Sequence, residues 1–141
     1  MSTWLYMLDT NMVSHMLRAP DGAVARRVES VGSDKLCISA IVASELGYGA
    51  VKKRSERLSS LIENILERLD IVDYGAAATA HYADIRDQLT REGNLIGPMD
   101  LLIAAHARAL GLILVTDNTG EFSRVHGLTL ENWVSDQEIV P

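Results

Sequence analysis

Four acids in this chain stand where a carboxylate can do chemistry: Asp9, Glu45, Asp100 and Asp117. Asp9 directly follows an apolar run in Leu8-Asp9-Thr10-Asn11, and Asp117 follows another in Val115-Thr116-Asp117-Asn118. Glu45 lies one turn into a helical pattern that begins near Ile41. Asp100 opens a second helical pattern in Gly97-Pro98-Met99-Asp100, against an apolar background of Leu101, Leu102, Ile103, Ala104 and Ala105. Each acid has an ordinary alternative. Asp9 could simply cap the next helix, Asp100 could close a capping arrangement near the helix dipole, Glu45 could face solvent, and Asp117 could be a turn residue. Together they are harder to dismiss, because two like charges about 4 Å apart repel by ~4 kcal/mol at an effective dielectric of ~20. Such a cluster persists when a cation neutralises it, and hard oxygen donors favour magnesium or manganese. A carboxylate-held magnesium suits phosphodiester hydrolysis: it activates water, orients the phosphate and stabilises the leaving oxygen, with no side-chain nucleophile required.

Topology decides whether these acids meet. Residues 3–8 form a short β-compatible run, and residues 11–17 take helical spacing that stops at Ala19-Pro20, since proline disfavours helix in the residue before it. Residues 23–31 read as a partly charged helix closed by Gly32, and residues 35–39 as a buried strand. Residues 41–53 and 57–69 are helical. The second carries Leu58, Leu61, Ile62, Ile65, Leu66 and Leu69 on one face, which marks it as mostly core with an exposed edge left for a partner. Ile71 and Val72 make a very short third strand. Residues 76–91 form an alanine-rich helix ending before Gly93; residues 98–110 form another, with proline at its first position and Gly111 as its stop. Residues 112–115 are a buried strand between a glycine and a polar turn, and residues 128–133 add a short edge strand. Strands alternating with helices predict an α/β fold, a central parallel β-sheet of about four to five strands flanked by helices. No linker or repeat divides it, so residues 1–141 read as one domain. Ligands of such sheets bind beyond the carboxyl ends of the strands, where Asp9 and Asp117 emerge.

Hydrophobic residues make up 48% and charged residues 23%, the balance of a soluble globular protein. No stretch is apolar enough to span a membrane, the first eight residues do not read as a signal peptide, and the single cysteine, Cys37, sits in an apolar run. A buried thiol in a reducing cytoplasm is the expectation. The net charge of −6 argues against a nucleic-acid partner, unless divalent cations supply the local positive charge. The densest basic run, Lys52, Lys53, Arg54 and Arg57, could hold RNA phosphates or merely complement a helix carboxyl end. His15, His81, His106 and His126 are scattered and do not form an acid–base pair; His106 reads as packed. Gly47-Tyr48-Gly49 lacks the setting of a dinucleotide fingerprint and reads as packing or a bend in its helix.

These residues resemble a known family. The chain is similar to the PIN-domain ribonuclease toxins of bacterial toxin–antitoxin pairs, the VapC family, from Tyr6-Met7-Leu8-Asp9-Thr10-Asn11 to Asn132-Trp133. The opening Leu-Asp-Thr-Asn looks like the first acidic motif, residues 39–49 like the second with Glu45 as its acid, residues 96–107 like the third with Asp100, and residues 115–122 like the fourth. The resemblance implies a PIN fold and a divalent metal, Mg2+ with Mn2+ as substitute, held chiefly by Asp9 and Asp100 with Glu45 next. It implies RNA cleavage leaving a 5′-phosphate and a 3′-hydroxyl. In the fourth motif Asp117, Asn118 and Glu121 all remain candidates to complete the site. Thr10, Asn11 and Thr116 are candidates to orient ligands or water. The likeness is greatest to members that cut initiator transfer RNA in the anticodon loop, and it further implies a VapB-like antitoxin and a homodimer.

Other chemistries fit less well. A phosphoacceptor receiver wants an adjacent acidic pair after the first strand and a lysine after the last, and a haloacid-dehalogenase-like phosphatase wants an aspartate where Asn11 stands. A catalytically silent PIN-like domain that only binds RNA or a partner would show by loss of an acid, yet Asp9, Glu45 and Asp100 are all present. The expectation is therefore a magnesium-dependent endoribonuclease toxin.

Overall fold

A computed structural model describes residues 3–134; residues 1, 2 and 135–141, which the single-domain reading also takes in, lie outside it. Five strands form one sheet: β1 (Tyr6–Leu8), β2 (Leu36–Ser39), β3 (Asp70–Val72), β4 (Ile113–Val115) and β5 (Leu130–Glu131). All neighbours run parallel in the order β3-β2-β1-β4-β5. Seven helices among the described residues surround it: α1 (Thr10–Arg18), α2 (Ala23–Val31), α3 (Ala40–Lys53), α4 (Glu56–Arg68), α5 (Ala76–Glu92), α6 (Pro98–Leu110) and α7 (Thr119–Phe122). The α/β expectation and the strand count hold.

Parallel sheets are covered on both faces, so their strands read as unbroken apolar runs. Met7, Leu8, Leu36, Cys37, Ile38, Leu114 and Val115 are accordingly fully buried in the three central strands. Edge strand β3 instead leaves Ile71 exposed. Burial pushes the Cys37 thiol up to about 12, keeping it protonated and inert. Helix boundaries follow local chemistry. Ser39 caps α3 by accepting from the Ile41 amide, and Ser55 caps α4 by accepting from Leu58. Gly93 and Gly111 end α5 and α6 in the left-handed conformation that glycine adopts without steric cost. No helix among the described residues is long and apolar enough to cross a membrane.

Helix α4 keeps its apolar stripe on the core with an exposed edge: Ile62 and, just past the helix end, Leu69 are buried, Leu58, Ile65 and Leu66 are half-buried against the core, and Leu61 is exposed. It lies outside α3 at the β3 edge of the sheet, so it is covered on one side only. Several expectations need correction. Gly47 and Gly49 are neither packed nor at a break. Helix α3 runs through both, and a Cβ at either position would meet nothing within 4 Å. The edge strand is Leu130–Glu131 rather than six residues, and Leu112 precedes β4 rather than opening it. Two short elements have no counterpart in the sequence reading: α7, and a 3-10 turn at Ser33–Lys35.

Candidate active site

Register sets the site. Leu8 pairs with Val115, so β1 and β4 end level, and the Met7–Cys37 pairing carries β2 one residue further, to Ser39 opposite Val72 of β3. Asp9 comes one residue later, its amide donating to the Val115 carbonyl at 3.1 Å. Its side chain is 5% exposed and doubly held. Oδ1 accepts from the Met12 amide at 3.0 Å, which makes Asp9 the N-cap of α1, and Oδ2 accepts from the Thr116 hydroxyl at 2.5 Å. Thr116 Oγ1 also accepts from the Asn118 amide at 2.9 Å. The capping role and the site role thus coexist in one carboxylate. The Asn11 amide adds a further hydrogen bond to the carboxylate. Desolvation raises the Asp9 pKa to about 6, against the lowering effect of Thr116.

Asp100 is the third residue of α6, whose N-cap is Gly97. Glycine has no side chain to complete a capping box, so of the ordinary alternative for Asp100 only its favourable place near the helix dipole holds. Its carboxyl is partly buried and raised to about 6, first by desolvation, then by Glu121 at hydrogen-bonding reach, and further by the charges of Glu45 and Asp9. Glu45, from α3, accepts from the Thr10 hydroxyl at 2.6 Å through Oε1. Glu121, from α7, accepts from Asn118 Nδ2 at 3.1 Å through Oε2.

The structure therefore brings together Asp9, Glu45, Asp100 and Glu121, with Thr10, Thr116 and Asn118 as the groups that hold them. Asp117 is turned the other way. Its oxygens lie 3.4 Å from Asn11 Nδ2 and 3.4 Å from His15 Nε2, both on α1, and it acts on Asp9 only through its charge. Lys53 shares a cleft with Glu45, whereas Lys52 and Arg54 are exposed at the far end of α3, about two turns beyond Glu45. The partners of two histidines escaped the sequence reading. His15 meets Asp117, and buried His106 bonds through Nδ1 to the Ser39 hydroxyl at 2.8 Å, tying α6 to the start of α3. His106 is packed as expected, its ring edge-on to Tyr74, and burial lowers its pKa. Ser39 ends a strand that the sequence disclosed, but its histidine partner lies 67 residues away.

The donors suit a hard divalent cation. They are carboxylate oxygens, and no Lys or Arg among the described residues makes an ion pair with Asp9, Glu45, Asp100 or Glu121. The crowding of like charges around Asp100 is what a cation would relieve. Asp100 and Glu121 are in contact, the other acids act on Asp100 through their charge, and no three acids among the described residues are close enough together to enclose an ion.

Comparison with known proteins gives the arrangement its context. Residues 6–128 match the model of the PIN domain. The chain is 44% identical over 129 residues to a tRNA(fMet)-specific endonuclease VapC of Shigella flexneri, covering 91% of this chain and 97% of that one. It is 47% identical over 131 residues to Ribonuclease VapC2 of Haemophilus influenzae, covering 92% and 98%. Among solved structures, VapBC2 from Rickettsia felis, bound to a DNA fragment from its promoter, superposes with a TM-score of 0.86 at 39% identity, covering 92% of this chain and 98% of that one. With a parallel sheet of this order, an acid cluster at its carboxyl edge and these relatives over nine-tenths of its length, the chain belongs to the PIN-domain family, within the VapC ribonucleases.

Proposed function

We propose that the chain is an endoribonuclease toxin that cuts RNA at a magnesium site held by Asp9 and Asp100, with manganese as a working substitute. PIN ribonucleases depend in general on a divalent metal, and the uncompensated carboxylates around Asp100 are the observation that carries the reading. When bound, the ion neutralises the acids, lowers the pKa of a water and offsets charge on the phosphate. The chain's own residues do the rest. Thr116 and the Met12 amide fix both oxygens of Asp9. Thr10 occupies Oε1 of Glu45, leaving Oε2 to accept a proton from the attacking water. Asn118 steers Glu121 toward Asp100, so Glu121 is the acid that completes the site, with Asn118 as its holder. Asp117 and Asn11 belong to the rim. The products carry a 5′-phosphate and a 3′-hydroxyl.

Initiator transfer RNA, cut in its anticodon loop, is the favoured substrate, because relatives at 44% and 37% identity are named for that RNA. A VapB-like antitoxin is the favoured protein partner, because VapBC assemblies are among the similar structures. The whole of residues 1–141 acts as one domain, in the cytoplasm and as a homodimer, for which exposed Tyr48 and Val51 on α3 leave apolar surface. The test is cleavage of total RNA and purified transfer RNAs by antitoxin-free protein, with magnesium, with EDTA, and with Asp100→Ala. Discrete cuts that vanish in both controls support the reading and name the substrate. Cuts that survive EDTA overturn the metal mechanism, and folded, metal-loaded protein that cuts no RNA would be a silent binding module.

A further inference from the structure

The cations of this acidic chain are distributed unevenly. Arg26, Arg27, Arg86, Arg91, Arg108 and Arg124 each bond to a neighbour. Among the described residues, Arg18, Lys52, Lys53, Arg54, Arg57 and Arg68 make no ion pair or side-chain hydrogen bond, and all six lie at the end of α1, the end of α3 or on α4. Only Lys35 is unengaged elsewhere among those residues. Positive charge left unpaired on one side of a chain of net charge −6 is charge available to an anion.

Between those three helices runs a cleft of about 290 Å³. Leu17, Leu46, Leu58 and Ile62 give it an aliphatic lining, and Arg18 and Lys53 bring two of the unpaired cations to it. Thr10 and Glu45 line it too, so it runs into the acid cluster. Gly49 keeps it open, since a Cβ there would meet no atom within 4 Å.

We propose that this cleft is a nucleotide subsite, taking one unstacked base of a single-stranded RNA beside the phosphate to be cut, with Lys53 and Arg18 on that nucleotide's own phosphate. The choice of RNA as ligand rests on the function proposed above. The geometry favours a nucleotide over a peptide side chain because it pairs an apolar slot, near the lower end of the ~300 Å³ range of small-ligand pockets, with free cations. Bases splayed from a single-stranded loop are the form in which proteins usually read RNA. Lys53 and Arg18 would fix register along the strand while contributing nothing to base identity. Competition by an antitoxin segment for the same cleft would then block substrate directly.

Two variants of the intact protein test this. Gly49→Leu fills the cleft, at a helical position with open space and a gain in helix propensity. Lys53→Gln removes one cation and keeps the side chain's length. Binding of a fluorescein-labelled single-stranded seven-nucleotide RNA is followed by anisotropy in EDTA, so that nothing is cut, across a series of salt concentrations. Gly49→Leu is expected to weaken binding about tenfold or more. Lys53→Gln should weaken it several-fold and lower the slope of log affinity against log salt by about 0.7, one phosphate contact. Unchanged affinity in both variants overturns the proposal, whether or not the wild type cuts RNA. So does a Gly49→Leu protein that binds RNA normally but no longer binds its antitoxin, which would assign the cleft to a peptide. Wild-type protein that binds as described yet cuts nothing would defeat the nuclease reading and leave the subsite standing.

Discussion

Helix α6 has a charged residue near each end, and the fold treats the two in opposite ways. Asp100, in its first turn, faces Glu121, Glu45 and Asp9, and no cation among the described residues makes an ion pair with any of them. Arg108, in its last turn, is 14% exposed and has a partner for each nitrogen: His81 Nδ1 at 2.9 Å, the His126 carbonyl at 2.8 Å and Asp84 Oδ2 at 2.6 Å. The Arg108 end clasps α5 and the loop before β5. The Asp100 end holds like charges together at a cost in stability. Side chains that satisfy one another identify scaffold; side chains that raise one another's pKa identify a place kept for something absent from the chain.

The largest expected effect breaks the Asp100 end. Asp100→Ala should lower the rate of RNA cleavage more than about a thousandfold, the scale of losing several kcal/mol of transition-state charge stabilisation. Its melting temperature without metal should be unchanged or higher. Full activity in this variant would remove Asp100 from the metal site.

Arg108→Ala attacks the other end. It should cost about 2 kcal/mol, from three hydrogen bonds worth ~1 kcal/mol each, discounted because Asp84 is exposed. At this chain length that lowers the melting temperature by roughly 5 °C, while kcat per folded molecule stays the same. A selective loss of kcat would show that the two ends are coupled.

Within the acid cluster, Glu121→Gln should slow cleavage about tenfold to a hundredfold, and Asp117→Asn by threefold or less. Steady-state kinetics on one RNA decides it, and the reverse order would return Asp117 to the site.

The smallest effect is a pH dependence in the absence of metal. Asp100 is raised from 3.8 to about 6 in the folded chain, so its protonated form is favoured there. The folded state binds the extra proton between those values. Stability is therefore greatest below about 4 and is lost as pH rises through about 6. Two units on a half-exposed group, screened by solvent, amount to ~1 kcal/mol. In EDTA, Asp100→Asn should thus exceed wild type by about that much at pH 7.5 and by nothing near pH 4, as read from urea titrations. A difference independent of pH would mean the gain comes from packing.

The sequence disclosed most where local rules act. Proline and glycine at the two ends of α6 and the apolar runs of the central strands located those elements, and the strand-end rule put Asp9 at the carboxyl edge of the sheet but put Asp117 there with it, which the structure turns toward α1. It failed where only tertiary structure decides. Helix α7 is four residues long, too short for any periodicity, yet its single turn is what brings Glu121 to Asp100. Helix α4 shows the same apolar stripe whether it meets a core or a cleft wall, so its exposed edge was legible but not the cleft that Leu58 and Ile62 line. The partners of Arg108 lie 18 to 27 residues away along the chain, beyond any local pattern.

Asp9 bonds to Thr116 across 107 positions of the chain, and β1 lies in the middle of the sheet, between β2 and β4. A ribosome adding about 5–20 residues per second needs roughly 5–20 s to go from the first of those residues to the second. Throughout that interval the earliest acid of the site has been made but has no strand to lie against on one side. Glu121 and the strand that borders β4 come later still. The acid cluster therefore cannot assemble until β4, Thr116 and Glu121 have been made and have left the exit tunnel. Making the first acid arms nothing; its hydroxyl partner follows 107 positions later.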